Sequence, residues 1–228
     1  MMNKLKLYLL LFIAALFACS CEDNSGEFVN QLFTNAEKNA AIKSCLNASA
    51  DSAVNHLFVY DGFYQNRNYL IDFAPLSYIF DTLSKHQQGN LADSLILRTN
   101  RMAEGCGVIA STSLDSAIKQ LNIKDFDELI KGESGIITDY LKAQKSNFIK
   151  SSMQSQVGIR MQLLNVNSTW KEIVNTYRQY DDNPINVDIQ GYIIDKMMNN
   201  IFEEMRLEEY NVRTDTTHQN EDSRLFRY

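Results

Sequence analysis

The sequence predicts an all-α protein, a single bundle of about seven or eight helices. The 228-residue chain contains only two prolines and nine glycines, the two residue types that most disfavour helix interiors. Apolar residues recur every three to four positions over long stretches, as on the buried face of an amphipathic helix. The segments that interrupt these patterns are short and rich in Gly, Asn and Asp, so they indicate turns within one domain.

The first element is a short cationic and apolar segment, which is typical of an export signal. Lys4 and Lys6 precede the uncharged residues 7–18. A helix over 7–18 would be about 18 Å long, too short for the roughly 30 Å hydrocarbon layer of a membrane. The length and the flanking charges instead match the apolar region of a signal peptide.

The end of this segment resembles a bacterial lipobox. Leu16 stands three residues before Cys19, and the small residue Ala18 directly precedes that cysteine. We therefore expect residues 1–18 to be a lipoprotein signal peptide and Cys19 to carry the lipid, with Cys21 as the second choice. The alternative is an ordinary secretory signal followed by two incidental cysteines.

Acidic residues follow the cysteines, within a tether and first turn expected at 19–38. Glu22 and Asp23 resemble the signal that directs lipoproteins of some bacteria to the outer membrane, and a solvated tether is the alternative. We expect a cell-envelope, outer membrane lipoprotein held at the membrane by its N-terminal lipid. The sequence leaves open whether it faces the periplasm or the cell surface.

The charge of the chain excludes one class of partner. The formal net charge is −6, and loss of Lys4 and Lys6 with the signal leaves 20 basic against 28 acidic residues, a net charge near −8. Nucleic-acid binding requires clustered Lys and Arg, so we expect no nucleic-acid partner.

A helical domain is expected at 39–212. Pro75 suits the first turn of a helix, where its missing N–H costs no hydrogen bond, and Ser168 is the expected N-cap of a later helix. Four long amphipathic patterns lie at 42–57, 92–106, 137–148 and 194–205, and four shorter ones at 75–85, 113–121, 125–131 and 168–180.

The last residues, 213–228, are predicted to form a polar C-terminal tail. Between Thr214 and Ser223 no apolar residue occurs, so this stretch buries too little surface to offset its ordering entropy and is expected to be mobile. Leu225 and Phe226 follow, and we expect them either to dock loosely on the bundle or to serve a partner.

Four motifs in order resemble the bacterial domain of unknown function 4197, from about residue 40 to the C-terminus. They are a turn, a helix with an Asn-Arg pair, a Trp-containing helix and a last long helix with paired glutamates. The resemblance implies a secreted or envelope-located helical domain, but it implies no activity. The matching residues are Asp61, Gly62, Phe63, Asn100, Arg101, Ala103, Glu104, Trp170, Val174, Asn175, Tyr177, Tyr192, Lys196, Phe202, Glu203 and Glu204.

The sequence contains no pattern that predicts a metal or cofactor site. His56, His86 and His218 are far apart, and none has the spacing of zinc ligands. The nucleophile elbow of hydrolases, the phosphate-binding loop and the dinucleotide fingerprint are also missing. We therefore expect no metal and no cofactor.

One polar helix flank is the candidate site for catalysis. Asn100 and Glu104 lie one turn apart, and Arg101 is three residues before Glu104. The pair Arg101 and Glu104 forms either a plain surface ion pair or, with Glu203 and Glu204, a half-buried network that lines a cleft. In the second case Glu104 would be the general base of an envelope hydrolase, with Arg101 or Asn100 holding the substrate.

Aromatic residues around a predicted turn are the candidate site for binding. Phe63 and Tyr64 follow Asp61 in a segment that is crowded with Phe and Tyr, residues that suit partner surfaces. The alternative for the aromatic residues is that they cap one end of the bundle, and for Asp61 that it bonds its own backbone. We favour a non-catalytic binding or interaction module with an unidentified protein or small-molecule partner over the hydrolase.

Two cysteines fall on apolar helix faces. Cys45 and Cys106 would pair in an oxidising compartment if their Cα atoms came within roughly 7 Å. We expect two separate buried thiols instead, since buried Cys packs as a small hydrophobic residue.

Overall fold

A computed structural model describes residues 33–227 and confirms the all-α bundle, with no strand in this range. The predicted signal peptide, Cys19, Cys21 and most of the predicted tether lie outside the described residues. Within 33–227 there are eight α-helices: α1 (Asn35–Leu57), α2 (Ser77–Lys85), α3 (Gly89–Glu104), α4 (Gly107–Lys119), α5 (Phe126–Lys131), α6 (Ile136–Leu163), α7 (Val166–Tyr177) and α8 (Ile189–Thr214).

Helix α1 is the centre of the bundle and packs on α8 and α4. It begins with a capping box, in which the Glu37 amide donates to the Thr34 hydroxyl (3.3 Å) and the Thr34 amide donates to the Glu37 carboxylate (2.7 Å). This arrangement satisfies backbone donors that have no partner within the helix. The buried face of α1 comprises Ala41, Ile42, Cys45, Leu46, Ala50, Ala53 and Leu57.

The long helices give the bundle two ends. Lys43, early in α1, donates to the Lys119 carbonyl at the end of α4 (3.0 Å), and His56, late in α1, lies 2.8 Å from Glu204 in the middle of α8. Tyr140, early in α6, donates to the Asn122 carbonyl just after α4 (3.0 Å). Helix α6 therefore begins at the end of the bundle where α1 begins. We call the opposite end, where α1 and α6 finish, the distal end.

A buried ion pair closes the end where α1 begins. Glu209 is fully buried and accepts from the amides of Ile137 (3.1 Å) and Thr138 (2.9 Å), so it caps the start of α6. Arg213 lies 3.0 Å from Glu209 and donates to the last carbonyls of α5. The two charges thus satisfy two helix ends as well as each other, as buried charges require.

Some predicted boundaries differ from the observed ones. Helix α4 begins at Gly107, six residues before the predicted start, and the buried Cys106 lies in the break before it. Pro75 is the second residue of a 3₁₀ turn (Ala74–Leu76) that leads into α2, close to its predicted place in the first turn of a helix. Ser168 lies inside α7, and the N-cap is Asn165, whose φ of 59° is in the left-handed region that Asn tolerates.

The C-terminal segment contains more structure than its composition predicts. Two 3₁₀ turns, Thr216–His218 and Ser223–Arg227, follow α8. Asn220 donates to the Ser44 hydroxyl of α1 (2.7 Å), and Leu225 is buried against the core at 3% exposure. Local hydrogen bonds and one apolar anchor therefore hold a segment that was expected to be mobile. No helix between residues 33 and 227 has the length and apolarity that a membrane span requires.

Candidate functional site

A long irregular connection, residues 58–73, follows α1 at the distal end and contains the predicted turn. We call it the 58–73 loop. It lies between α3 and α8, and side chains of both helices hold it. Most polar residues that the sequence singled out are in this loop or directly against it.

The Arg101 guanidinium joins the loop to α3. One of its nitrogens donates to Glu104 (2.7 Å) and another to Asp61 (2.6 Å). Desolvation lowers the pKa of Arg101, but the hydrogen bonds and charges of Glu104 and Asp61 outweigh this effect and raise that pKa above its ordinary value. Arg101 is thus a fixed cation between two carboxylates, as charge-assisted bonds favour.

Glu104 also attaches the 58–73 loop to α3. It is 7% exposed, and its Oε1 accepts from the backbone amides of Phe63 (3.3 Å) and Tyr64 (3.0 Å) while Oε2 receives Arg101. Both carboxylate oxygens therefore have partners within the chain. The predicted pair of Arg101 and Glu104 is present, but it is partly buried and joins the loop, whereas the alternative with Glu203 and Glu204 is not observed within residues 33–227.

The turn itself is tightly built. Asp61 has a φ of 66°, and its side chain binds Arg101, not its own backbone as one prediction had it. A Cβ at Gly62 would collide with the Leu57 carbonyl at the end of α1, so only glycine fits there. Phe63 is fully buried and contacts Phe58 edge-on, with 5.5 Å between ring centroids. It therefore belongs to the core and lies outside any contact surface.

Asn100 holds the far part of the loop. It is fully buried, its Oδ1 accepts from the Ile71 amide (2.9 Å), and its Nδ2 donates to the Ile71 carbonyl (3.0 Å) and to the Ile96 carbonyl (2.8 Å). The three candidate catalytic residues thus share one role in the structure, which is to fasten the 58–73 loop to α3.

Helix α8 holds the opposite side of the loop. The Tyr69 hydroxyl donates to Glu204, which also lies 2.8 Å from the His56 ring, and Asn200 donates to the Tyr69 carbonyl (2.6 Å). Burial and the bond to Glu204 raise the pKa of Tyr69. Glu203 instead pairs with Arg206 on the surface. The loop is therefore clamped between two helices.

Exposed apolar residues surround this clamp at the distal end. Of the eleven large hydrophobic side chains that are most exposed among the described residues, seven lie on elements that meet here. Large exposed apolar side chains concentrated on neighbouring elements are typical of interaction sites. We call these residues the distal surface: Val59, Tyr60, Leu97, Val108, Ile159, Leu163 and Leu164.

Arg101 positions the aromatic part of the distal surface. Its guanidinium carbon lies 3.8 Å from the centre of the Tyr60 ring and 4.9 Å from that of Tyr64. Tyr60 is nevertheless 77% exposed. The cation–π contacts hold a large amphipathic ring at the surface in a defined place, so the ring would lose little conformational entropy in any contact.

Clefts and grooves lie between the helices that carry the distal surface. A cleft of about 450 Å³ lies between α3 and the end of α6, and a groove of about 390 Å³ lies between the end of α1 and the start of α4. Val108 forms one wall of that groove and also of a third cleft, of about 330 Å³, beside α6.

Comparison with known proteins supports the family resemblance that the sequence motifs indicate. A family model described as a protein of unknown function (DUF4197) matches residues 32–225. The chain belongs to this family. Motif residues of the turn and of α3, together with Glu204 of α8, meet at the 58–73 loop, whereas Glu203 pairs with Arg206. Helix α7, which carries the Trp motif, packs against α3. No curated protein and no solved structure matches the chain.

The two internal cysteines are free and buried, as predicted. Desolvation raises the pKa of Cys45 to about 12 and that of Cys106 to about 11. The Cys106 thiol donates to the Met102 carbonyl (3.3 Å). Among residues 33–227, no group of three or more His, Cys, Asp or Glu side chains could hold a metal ion.

Several residues of the distal surface were not found from the sequence. Val108, Leu163 and Leu164 lie at helix ends, where an apolar pattern does not distinguish a buried residue from an exposed one. Tyr60 belongs to the predicted aromatic segment and directly precedes Asp61 of the turn, but the sequence does not distinguish it from its aromatic neighbours. The sequence signal was the turn itself, because a sharp reversal after a long helix exposes the residues at its tip.

Proposed function

We propose that this protein is a lipid-anchored, non-catalytic interaction module of the bacterial cell envelope, and that it binds a protein partner through the distal surface. The observation that carries the proposal is that seven of the eleven most exposed large apolar side chains among the described residues lie on elements that meet at one end of the bundle. Such concentrated exposure of large apolar side chains is typical of a surface that binds a partner.

The contacts of the candidate catalytic residues favour binding over hydrolysis. A general base must come within hydrogen-bond reach of a substrate proton. Glu104 is buried, and both of its oxygens are held by the chain. Asn100 is committed to Ile71 in the same way. These groups build the loop that presents Tyr60.

The proposed tether and the distal surface would lie at opposite ends of α1. The lipid is proposed at Cys19, upstream of α1, whereas the distal surface begins where α1 ends. The 23 residues of α1 span about 34 Å. The proposed tether would therefore enter the domain at the end opposite the distal surface and leave that surface uncovered by the start of α1.

The anchor is tested by replacing the proposed lipidation site. Cys19→Ala should abolish incorporation of a fatty-acid probe and release the chain from the membrane fraction, because several acyl chains are needed for stable anchoring. Cys21→Ala is the matched control and should change neither. If the Cys19→Ala protein is still labelled and still sediments with membranes, Cys19 is the wrong residue.

The binding role is tested on detergent-solubilised membranes by native gel electrophoresis. Wild-type protein should migrate in a complex that contains a second polypeptide, and Tyr60→Ser combined with Leu163→Ser should return it to the monomer position. Leu207→Ser combined with Tyr210→Ser, which alters exposed apolar residues on α8, should leave the complex intact. A monomeric wild type, or a complex unaffected by the distal variant, would contradict the proposal.

A further inference from the structure

The cleft between α3 and the end of α6 is the part of the distal surface that combines apolar and charged lining residues. Leu97 and Leu164 supply apolar walls, and Arg98 and Arg101 lie among the lining residues, with Ser94. Apolar walls with a few placed polar groups are the usual composition of a recognition pocket. This cleft can therefore distinguish partners by charge as well as by apolar content.

Cationic side chains gather at the cleft although the chain as a whole is acidic. The chain has a net charge of −6, yet three arginines gather here. Arg98 and Arg101 line the cleft, and an Arg160 nitrogen lies so near Gly105 that a Cβ there would come within 2.9 Å of it. Asp61 and Glu104 are both bonded to Arg101, so three guanidinium groups stand against two carboxylates.

Arg98 is a lining cation of the cleft that keeps N–H donors for a ligand. It is exposed, and one of its N–H groups donates to the Leu164 carbonyl at the end of α6 (3.3 Å). A guanidinium has five N–H donors, so this one bond fixes the side chain at the edge of the cleft and leaves other donors for a carboxylate. Arg101, by contrast, gives bonds to two carboxylates of its own chain.

We propose that the cleft binds a partner segment in which an acidic residue adjoins a large apolar one. The apolar side chain packs between Leu97 and Leu164, and the carboxylate binds Arg98. This inference rests on the proposed function and adds the chemical class of the partner. A membrane is the less suitable occupant, because attraction to anionic lipid grows with several Lys and Arg near the surface, and Arg101 is already neutralised.

The first experiment selects ligands without assuming a partner. Random twelve-residue peptides displayed on phage are selected on the chain from Glu22 to Tyr228, which includes every described residue. We expect the selected peptides to be enriched in Asp or Glu next to Leu, Ile, Phe or Tyr. Their binding should fall at least about tenfold with Leu97→Ser plus Leu164→Ser, as expected for loss of the central contacts of an interface.

The second experiment exchanges the charges. A selected peptide in which the acidic residue is replaced by Lys should bind wild-type protein about tenfold more weakly. Arg98→Glu should reverse this preference, so that the Lys peptide binds better than the acidic one. Arg178→Glu, an exposed arginine at the end of α7, is the matched control and should leave the original preference unchanged.

The outcomes separate this inference from the proposed function. Peptides that need Leu97 and Leu164 but show no acidic preference, or that ignore Arg98→Glu, would overturn the inference and leave the interaction role standing. Failure to select any peptide that depends on the distal surface would count against both. Sedimentation of the chain with phosphatidylglycerol vesicles, abolished by Arg98→Glu, would replace the peptide partner by a membrane.

Discussion

Asn100 binds both backbone polar groups of Ile71, accepting from its amide at 2.9 Å and donating to its carbonyl at 3.0 Å. The amide side chain is fully buried and also donates to the Ile96 carbonyl. Ile71, near the end of an irregular loop, thereby has both of its backbone groups paired, as a neighbouring strand would pair them. Buried backbone groups require such partners, which explains why an Asn is placed here.

Asn100→Asp should reduce the free energy of unfolding by about 2–4 kcal/mol, because it places a buried carboxylate where Asn100 donates two hydrogen bonds. The shapes of the two side chains are nearly identical, so packing is preserved. Urea denaturation of both proteins measures the difference. Asn175→Asp, at an exposed site on α7, is the control, and an equal loss at both sites would contradict the assigned role of Asn100.

Glu104→Gln should lower the free energy of unfolding by about 1–3 kcal/mol, because the uncharged amide weakens the bonds from Arg101 and the two loop amides. It should abolish no function outright, since the side chain supports the loop. Denaturation and peptide binding are measured together, with the exposed Glu172→Gln as control. Complete loss of a turnover or of a ligand in a still-folded Glu104→Gln protein would show that Glu104 has a direct role.

The buried thiols should be unreactive in the folded protein. With pKa values raised to about 12 for Cys45 and about 11 for Cys106, both are protonated at pH 8, and only the thiolate reacts readily. In the chain from Glu22, Ellman's reagent should therefore detect no fast thiol until denaturant is added, and then two. A Tyr60→Cys variant provides a fast-reacting control. A disulfide-linked peptide joining Cys45 and Cys106 would overturn this expectation.

The attachment of the C-terminal segment should weaken as pH rises. The hydrogen bond to Glu208 and its charge raise the pKa of His218 above 6.5. A raised pKa in the folded state means that this contact is fully present below about 6.5 and is lost as pH rises through the folded value. An NMR titration of His218 should give a pKa above 6.5, and Glu208→Gln should lower it. An unchanged value in that variant would mean that the contact is absent in solution.

The sequence was sufficient for the fold class because apolar spacing and low Pro and Gly content are local signals. Helix ends were less predictable. The start of α4 at Gly107 depends on close packing against Phe58, and the N-cap Asn165 needs a left-handed backbone that Ser168 does not have. The C-terminal segment is held by Asn220 and Leu225, contacts distant in sequence that composition does not reveal.

The candidate site, like the fold, could be predicted from the sequence only in part. Motif spacing identified Asn100, Arg101 and Glu104 as a unit, but it did not show that their partners are Ile71, Asp61 and the loop amides, some 29 to 41 residues away. Exposure of Tyr60 and Val108 is likewise a tertiary property. Polar residues that looked catalytic in isolation are, in the folded chain, the support of an apolar surface.

The claim that the distal surface binds a protein partner is tested most directly by crosslinking in the cell. Photoreactive p-benzoylphenylalanine is placed at Tyr60 or Leu163 in the full chain, and at Tyr210, which is also exposed, as control. Irradiation should give one discrete adduct with a second protein from Tyr60 and Leu163 and none from Tyr210. Equal adducts from all three positions, or none from the two distal ones, would contradict a partner at the distal surface.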